Sequence, residues 1–372
     1  MRWSCVVLVL VTMFAAVPAV GVAAIDVNQL DWSVEYIIDT SQDDFGLSQA
    51  TYPRNNRGLA LSPDGRYLYL GYNNSHNSAG EVRKIDLTVS DCIDASIAQV
   101  AGARGKSIAV DDLGNVYLAE GSSIKVYDAD LSTLEYTIST TTKCEGVAVT
   151  RDAGTLYLYG TDRTNATLTK WSLAESAGAI TGSTQIWENG ISGASDLRGC
   201  EVDSSGRVWM ADHGGDVVFR LNSNGTGLAS VSLNSPMDIS FDGDQAYVTR
   251  YTDRVISVLD ADMNLVGSDI SVPWGDLALD ADGQSGDGAL TGIAVLPGVG
   301  FYVANETGQT ADEKSIYGRD DSFSGYDGGT YYTDLTHDDN DPVLFATSVP
   351  EPSALILFFT LLLGALGLCR RV

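Results

Sequence analysis

Residues 58–71 read GLALSPDGRYLYLG: a short apolar strand, a polar turn at Asp64-Gly65, and a second strand that alternates. The same unit returns as SIAVDDLGNVYLAE (107–120), GVAVTRDAGTLYLYG (146–160) and GCEVDSSGRVWMAD (199–212). Looser copies are ISFDGDQAYVTR (239–250) and GIAVLPGVGFYVANE (292–306). Taking the last apolar residue of each first strand as a marker gives Leu61, Val110, Val149, Val202, Phe241 and Val295. Their spacings are 49, 39, 53, 39 and 54, near 47 on average.

A repeat of 40–50 residues with several strands in each unit is the pattern of a β-propeller. The first strand of each unit is of the LAL type and the second of the YLYL type, whose alternation turns one set of side chains to each face of the sheet. A third strand follows at 81–87, 123–128, 167–173, 216–221 and 254–260. A fourth is visible at 133–139, 183–188, 228–233 and 267–272. A lone strand at 32–38 (WSVEYII) resembles these outer strands, and a propeller must close its ring or expose strand edges. The expectation is therefore an all-β chain, a propeller of six blades of four antiparallel strands. Residues 32–38 are expected to supply the outer strand of the last blade and 292–320 its other three. A seventh blade would require further strands from 322–335.

The chain has 372 residues and a formal charge of −27, spread along its length. That field repels nucleic acid and anionic lipid surfaces and attracts cations. Residues 1–24 have Arg2, an apolar core from Cys5 to Ala16 and the small residues Val22-Ala23-Ala24, the pattern of a secretory signal peptide. At the other end Val349-Pro350-Glu351-Pro352 precedes sixteen mostly apolar residues (354–369) and Arg370-Arg371. As a helix those sixteen residues span about 24 Å, a brief membrane anchor with its arginines at the cytoplasmic face. Of five cysteines, Cys5 and Cys369 lie in these terminal segments. Cys92, Cys144 and Cys200 remain, an odd number, as one disulfide plus a thiol or as reduced thiols.

The Val-Pro-Glu-Pro motif, short helix and arginine tail, in that order at the C-terminus, resemble the PEP-CTERM sorting signal. That resemblance implies processing by exosortase, a membrane-embedded cysteine protease, in a bacterium that makes extracellular polysaccharide. The repeat units (SPDGRYLYLG, DLGNVYLAE) resemble NHL-type and YVTN-type repeats and gluconolactonase-like propellers, which implies a fold more than an activity. The expected organisation is a signal peptide at 1–24, a propeller at 25–335, an acidic linker at 336–348 and the sorting signal at 349–372. The chain is expected to cross the inner membrane, to be held transiently by its C-terminal helix, and to finish at the cell surface or outside. Expected partners are exosortase and either polysaccharide or another envelope protein, with no nucleic acid.

First-strand starts and second-strand ends meet at one mouth of a propeller channel. Four residues before the markers stand Arg57, Lys106, Glu145, Arg198, Met237 and Thr291. Near the second-strand ends stand Asn73, Glu120, Asp162, His213, Arg250 and Glu306. Arg57, Lys106, Glu145, Arg198, Glu120, Asp162, His213 and Arg250 are the candidate ligand-binding ring. Gluconolactonase-like enzymes hold a divalent metal with one glutamate, asparagines and an aspartate, and Glu145, Asn73, Asp162 and Asn305 are residues of those types. Asp280-Ala281-Asp282-Gly283 and Asp338-Asp339-Asn340-Asp341 are candidates for Ca²⁺, although neither fits the twelve-residue calcium loop. Three histidines (His76, His213, His337) are poor provision for acid–base work, and no nucleophile triad, phosphate loop or zinc spacing appears. The leading expectation is a non-enzymatic binding or structural protein of the envelope or exopolysaccharide matrix. The alternative is a metal-dependent, lactonase-like hydrolase.

Overall fold

The computed structural model describes residues 25, 30–36, 56–73, 80–88, 96–101, 103, 105–272, 289–306 and 343–348. Among them every regular element is a strand. The signal peptide, the sorting signal, Cys92 and both calcium candidates lie outside the described residues. No helix of the described residues is long and apolar enough to cross a membrane.

The first strand is β1 (Leu30–Tyr36). Strands β2 (Asn56–Leu61), β3 (Tyr67–Asn73), β4 (Gly80–Asp86) and β5 (Ser96–Ala101) form an antiparallel sheet in chain order. Next come β6 (Ile108–Val110), β7 (Val116–Ala119), β8 (Gly121–Tyr127), β9 (Leu134–Asp152), β10 (Thr155–Asp162), β11 (Thr167–Ser176) and β12 (Ala179–Gly190). These seven hydrogen-bond as one sheet because β9 is continuous. Its first half pairs with β8 and its second with β10, so one strand serves two repeats. Two four-stranded sheets follow. One is β13 (Leu197–Val202), β14 (Val208–Asp212), β15 (Val217–Leu221) and β16 (Ala229–Ser232). The other is β17 (Pro236–Asp242), β18 (Gln245–Arg250), β19 (Val255–Leu259) and β20 (Ile270–Ser271). The last contains β21 (Ala289–Leu296), β22 (Gly300–Glu306) and β23 (Val343–Ser348), with β1 at its edge.

Two expectations are corrected here. The third strand of the last sheet is β23, not a segment within 292–320, and it lies in the stretch expected to be an acidic linker. The first sheet also has a fourth strand, β5, which the sequence did not disclose. Its SIAQVA is short, with Ser96 and Gln99 interrupting the apolar pattern.

The sheets pack face to face, as the blades of a β-propeller do. Leu59, Leu68 and Leu70 of the first sheet meet Ala294, Tyr302 and Ala304 of the last. Tyr69 and Val82 meet Ile108 and Leu118. Trp209 and Val218 meet Ile239 and Val248, and Tyr247 meets Phe301 with ring centroids 5.5 Å apart. The second strand of each repeat places an aromatic at the same station, and Tyr69, Tyr117, Tyr159, Trp209 and Tyr247 are almost wholly buried. Burying rings of this size requires their polar tips to be satisfied. Tyr117 Oη donates to Asp111 Oδ2 at 2.9 Å, and Trp209 Nε1 to Asp203 Oδ2 at 2.9 Å. Those aspartates also accept backbone N–H groups of their own first turns, from Leu113 and Asn115 and from Ser205 and Arg207. Each carboxylate thus fastens a turn to a core ring.

The innermost strands converge through positions without a side chain. A Cβ on Gly146 would stand 2.0 Å from Arg198 O, one on Gly292 2.2 Å from Arg57 O, and one on Gly58 2.6 Å from Gly105 O. Thr161 completes the first of these junctions, accepting from Gly146 N at 2.8 Å and donating to Arg198 O at 2.9 Å. Gly146→Ala should therefore lower the urea midpoint by an amount worth about 1–3 kcal/mol, the usual cost of overpacking. Gly190→Ala, where nothing lies within 4 Å of the new Cβ, should leave the midpoint within about 0.5 kcal/mol of wild type. Equal behaviour of the two variants would refute the close-approach argument.

Candidate functional site

The innermost strands surround a channel of about 320 Å³. Leu59, Ile108, Val147, Cys200, Ile239 and Ile293, one from each repeat, contribute its apolar wall. Each stands two residues before its marker.

At the mouth formed by the strand starts the chain gathers charge. Glu145 is buried, with 2 % of its side chain exposed. Four cations from different parts of the ring face it. Lys106 Nζ makes a short contact with Oε1, Arg198 Nη1 is 3.6 Å away, Arg57 Nη1 3.7 Å and Arg163 Nη1 3.9 Å. Asp196 holds two of these guanidinium groups from the side. Arg198 gives it Nε and Nη2 at 2.8 and 2.9 Å, and Arg163 gives Nε at 2.7 Å. Among the described residues the cluster is thus four cations against two carboxylates. Burial pulls the Lys106 ammonium below its ordinary pKa, opposed by Glu145. Burial raises Asp196 and the two arginines lower it, with the net result below the ordinary aspartate value. The cavity within the cluster is only about 10 Å³, so it takes at most a water. A larger group meets the cations from outside, where Arg163 is 36 % exposed.

Arg57, Lys106, Glu145 and Arg198 of the expected ring therefore come together. The other four are held locally. Glu120 pairs with Lys125 at 2.6 Å. Asp162 accepts from Thr164 N and Asn165 N and contacts Thr142, capping a turn. Arg250 pairs with Asp253 and, at 2.7 Å, with Asp269. His213 packs edge-on against Tyr251, ring centroids 5.2 Å apart, and burial and Arg198 push its imidazole below the ordinary value. Of the metal set, the described side chains Glu145 and Asp162 are engaged elsewhere. Glu145 lies among four cations that would repel a divalent ion, and Asp162 serves its turn. Asn73 and Asn305 end their strands, with side chains outside the described residues. Among the described residues no group of three or more metal-ligating side chains occurs. Cys144 and Cys200 are buried free thiols, and desolvation raises both above the ordinary thiol value.

Two channel acids escaped the sequence reading. Glu201 stands where the other repeats have Ala or Ser, and Asp238 where they have Gly or Ser. An acid at a repeated small position was the available signal. Burial pushes the Glu201 carboxyl up to about 7 against the donated N–H of Val202. Asp238 rises to about 8, mainly by burial, opposed by the N–H groups of Ile293 and Ile239. Both side chains keep part of their surface open to the channel, and water there moderates these shifts.

No family model matches the chain, and no curated protein does. Among solved structures, streptogramin B lyase is 12 % identical, over 77 % of this chain and 90 % of that one, with a TM-score of 0.47. A protein of unknown function from Bacteroides caccae is 15 % identical, over 70 % and 86 %, at 0.48. A nidogen–laminin complex is 15 % identical, over 59 % and 81 %, at 0.45. Likeness of this degree carries no argument about what the chain binds.

The two channel acids make a pH prediction. Each binds a proton more tightly folded than unfolded, so their contribution to stability is full below pH ~4. It falls as pH rises through their folded values, about 7 and 8. The Glu201→Gln/Asp238→Asn double variant should lose less melting temperature than wild type between pH 5 and pH 8. It should also be the more stable protein at pH 8. Parallel melting curves across that range would sink the assignment.

Proposed function

We propose that the chain is an exported β-propeller of six four-stranded blades, acting as a non-enzymatic binding component of the bacterial envelope or exopolysaccharide matrix. The sorting signal it resembles would bring exosortase as processing partner and a transient C-terminal membrane anchor. The ring would be closed by β1 at the edge of the last sheet. Removing residues 25–36 should then lower the melting temperature sharply, and an unchanged melting temperature would reject closure.

The observation that carries the binding reading is the convergence of Arg57, Lys106, Arg163 and Arg198 on one mouth. Asp196 fixes the planar guanidinium groups of Arg163 and Arg198 in orientation, and such forks suit carboxylates. The small cavity favours a ligand that lies across the mouth, as an acidic polysaccharide would. Distant acids of the chain act weakly there, since charge is screened over about 8 Å at physiological salt. The hydrolase alternative would need a metal beside Glu145, which already faces four cations.

The exported protein should bind a uronic-acid oligosaccharide but not its neutral counterpart. Arg163→Gln should weaken binding about tenfold, the loss of one charge-assisted contact, with melting unchanged. No glycan binding, together with one stoichiometric divalent ion by elemental mass spectrometry, would replace this reading with the enzyme.

A further inference from the structure

Asp242 departs from its repeat. It stands one residue after its marker, where Asp111 and Asp203 cap their own turns. Asp242 instead accepts from two remote groups. Ile25 N donates to Oδ2 at 2.9 Å across 217 residues, and Gly298 N, in the turn between β21 and β22, donates to Oδ1 at 3.1 Å. Asp242 is 7 % exposed and Ile25 4 %. No lysine or arginine pairs with Asp242 among the described residues. A buried carboxylate facing only neutral amides is costly, and a counter-ion relieves that cost.

The sequence places the signal-peptide cleavage point directly before this donor, at Val22-Ala23-Ala24. We propose that cleavage after Ala24 makes Ile25 the first residue, and that its new α-ammonium is the counter-ion of Asp242. This rests on the export reading above. Hydrolysis of the Ala24–Ile25 peptide bond by a signal peptidase consumes one water. It leaves a carboxylate on Ala24 and an amine on Ile25, which takes up a proton near neutral pH. A neutral amide donor thereby becomes a charged one at the same atom. The ion pair fastens the start of the mature chain to the end of β17. Through Gly298 it also ties the sheet containing β17 to the one containing β21. The precursor, with an amide at Ile25, has no such charge, so the tie tightens only after export.

N-terminal sequencing of the exported protein comes first. Ile25 is expected. A different first residue overturns the proposal while leaving export intact, and a chain retaining Met1 overturns both. The exported protein is then compared with a variant carrying one extra alanine between Ala24 and Ile25, each with Asp242 or Asp242→Asn. The inserted residue should lower the melting temperature by about 5 °C when Asp242 is present, because it displaces the charge from the carboxylate. It should have little effect on the Asp242→Asn protein. An equal effect on both backgrounds, or no effect on either, overturns the ion pair.

Discussion

The structure depends on how closely the innermost strands can approach. Each repeat narrows toward the channel, and at the start of its inner strand the backbone of one sheet meets the backbone of the next. Gly58, Gly146 and Gly292 occupy such junctions, and the register of β2 and β21 shifts there by a bulge. A bulge turns a backbone N–H out of its own ladder. Thr161 takes up that of Gly146 and passes a hydrogen bond to the neighbouring sheet. Thr249 does the same between Asp238 N and Thr291 O. Backbone proximity and threonine relays therefore set the spacing of neighbouring sheets, and the apolar faces fill the space that this spacing leaves.

The acidity of the chain is partly structural. Asp111 and Asp203 satisfy turn N–H groups and a core ring, Asp128 binds Ser132 and Thr133, and Asp260 binds Asp262 and Asn264. A carboxylate offers about four acceptor sites, which suits a tight turn with several unpaired donors. Asp-rich sequence here serves many turns in parallel. The cationic mouth lies against that background, and among the described residues Glu145 and Asp196 temper it.

Much of the architecture was legible because strands repeat with a fixed register. Marker positions located the innermost strands. They also brought Arg57, Lys106, Glu145 and Arg198 to one mouth. Arg163 and Asp196 were not legible, because they sit in connections beyond strand ends, where repeats differ in length. Glu201 and Asp238 were missed because a repeat pattern is read for what recurs, and these two matter by breaking it. The continuous β9 could not be foreseen either. The register with β8 shifts between Ser139 and Cys144, yet the strand runs on through Thr140 and its neighbours. The last sheet was misread because β23 is separated from β22 by 36 residues, too far for a local pattern to connect.

The two ends of the sheets differ in how the chain connects their strands. First and second strands are joined by turns of a few residues, as between β2 and β3, β9 and β10, or β17 and β18. The connections from β1 to β2, β20 to β21 and β22 to β23 run to between 17 and 36 residues. The strand ends that they join lie on the side of the charged cluster. A domain or epitope grafted into this scaffold should avoid the β6–β7 and β13–β14 turns, which carboxylates fasten to core rings. The same asymmetry gives the stack of sheets a front and a back.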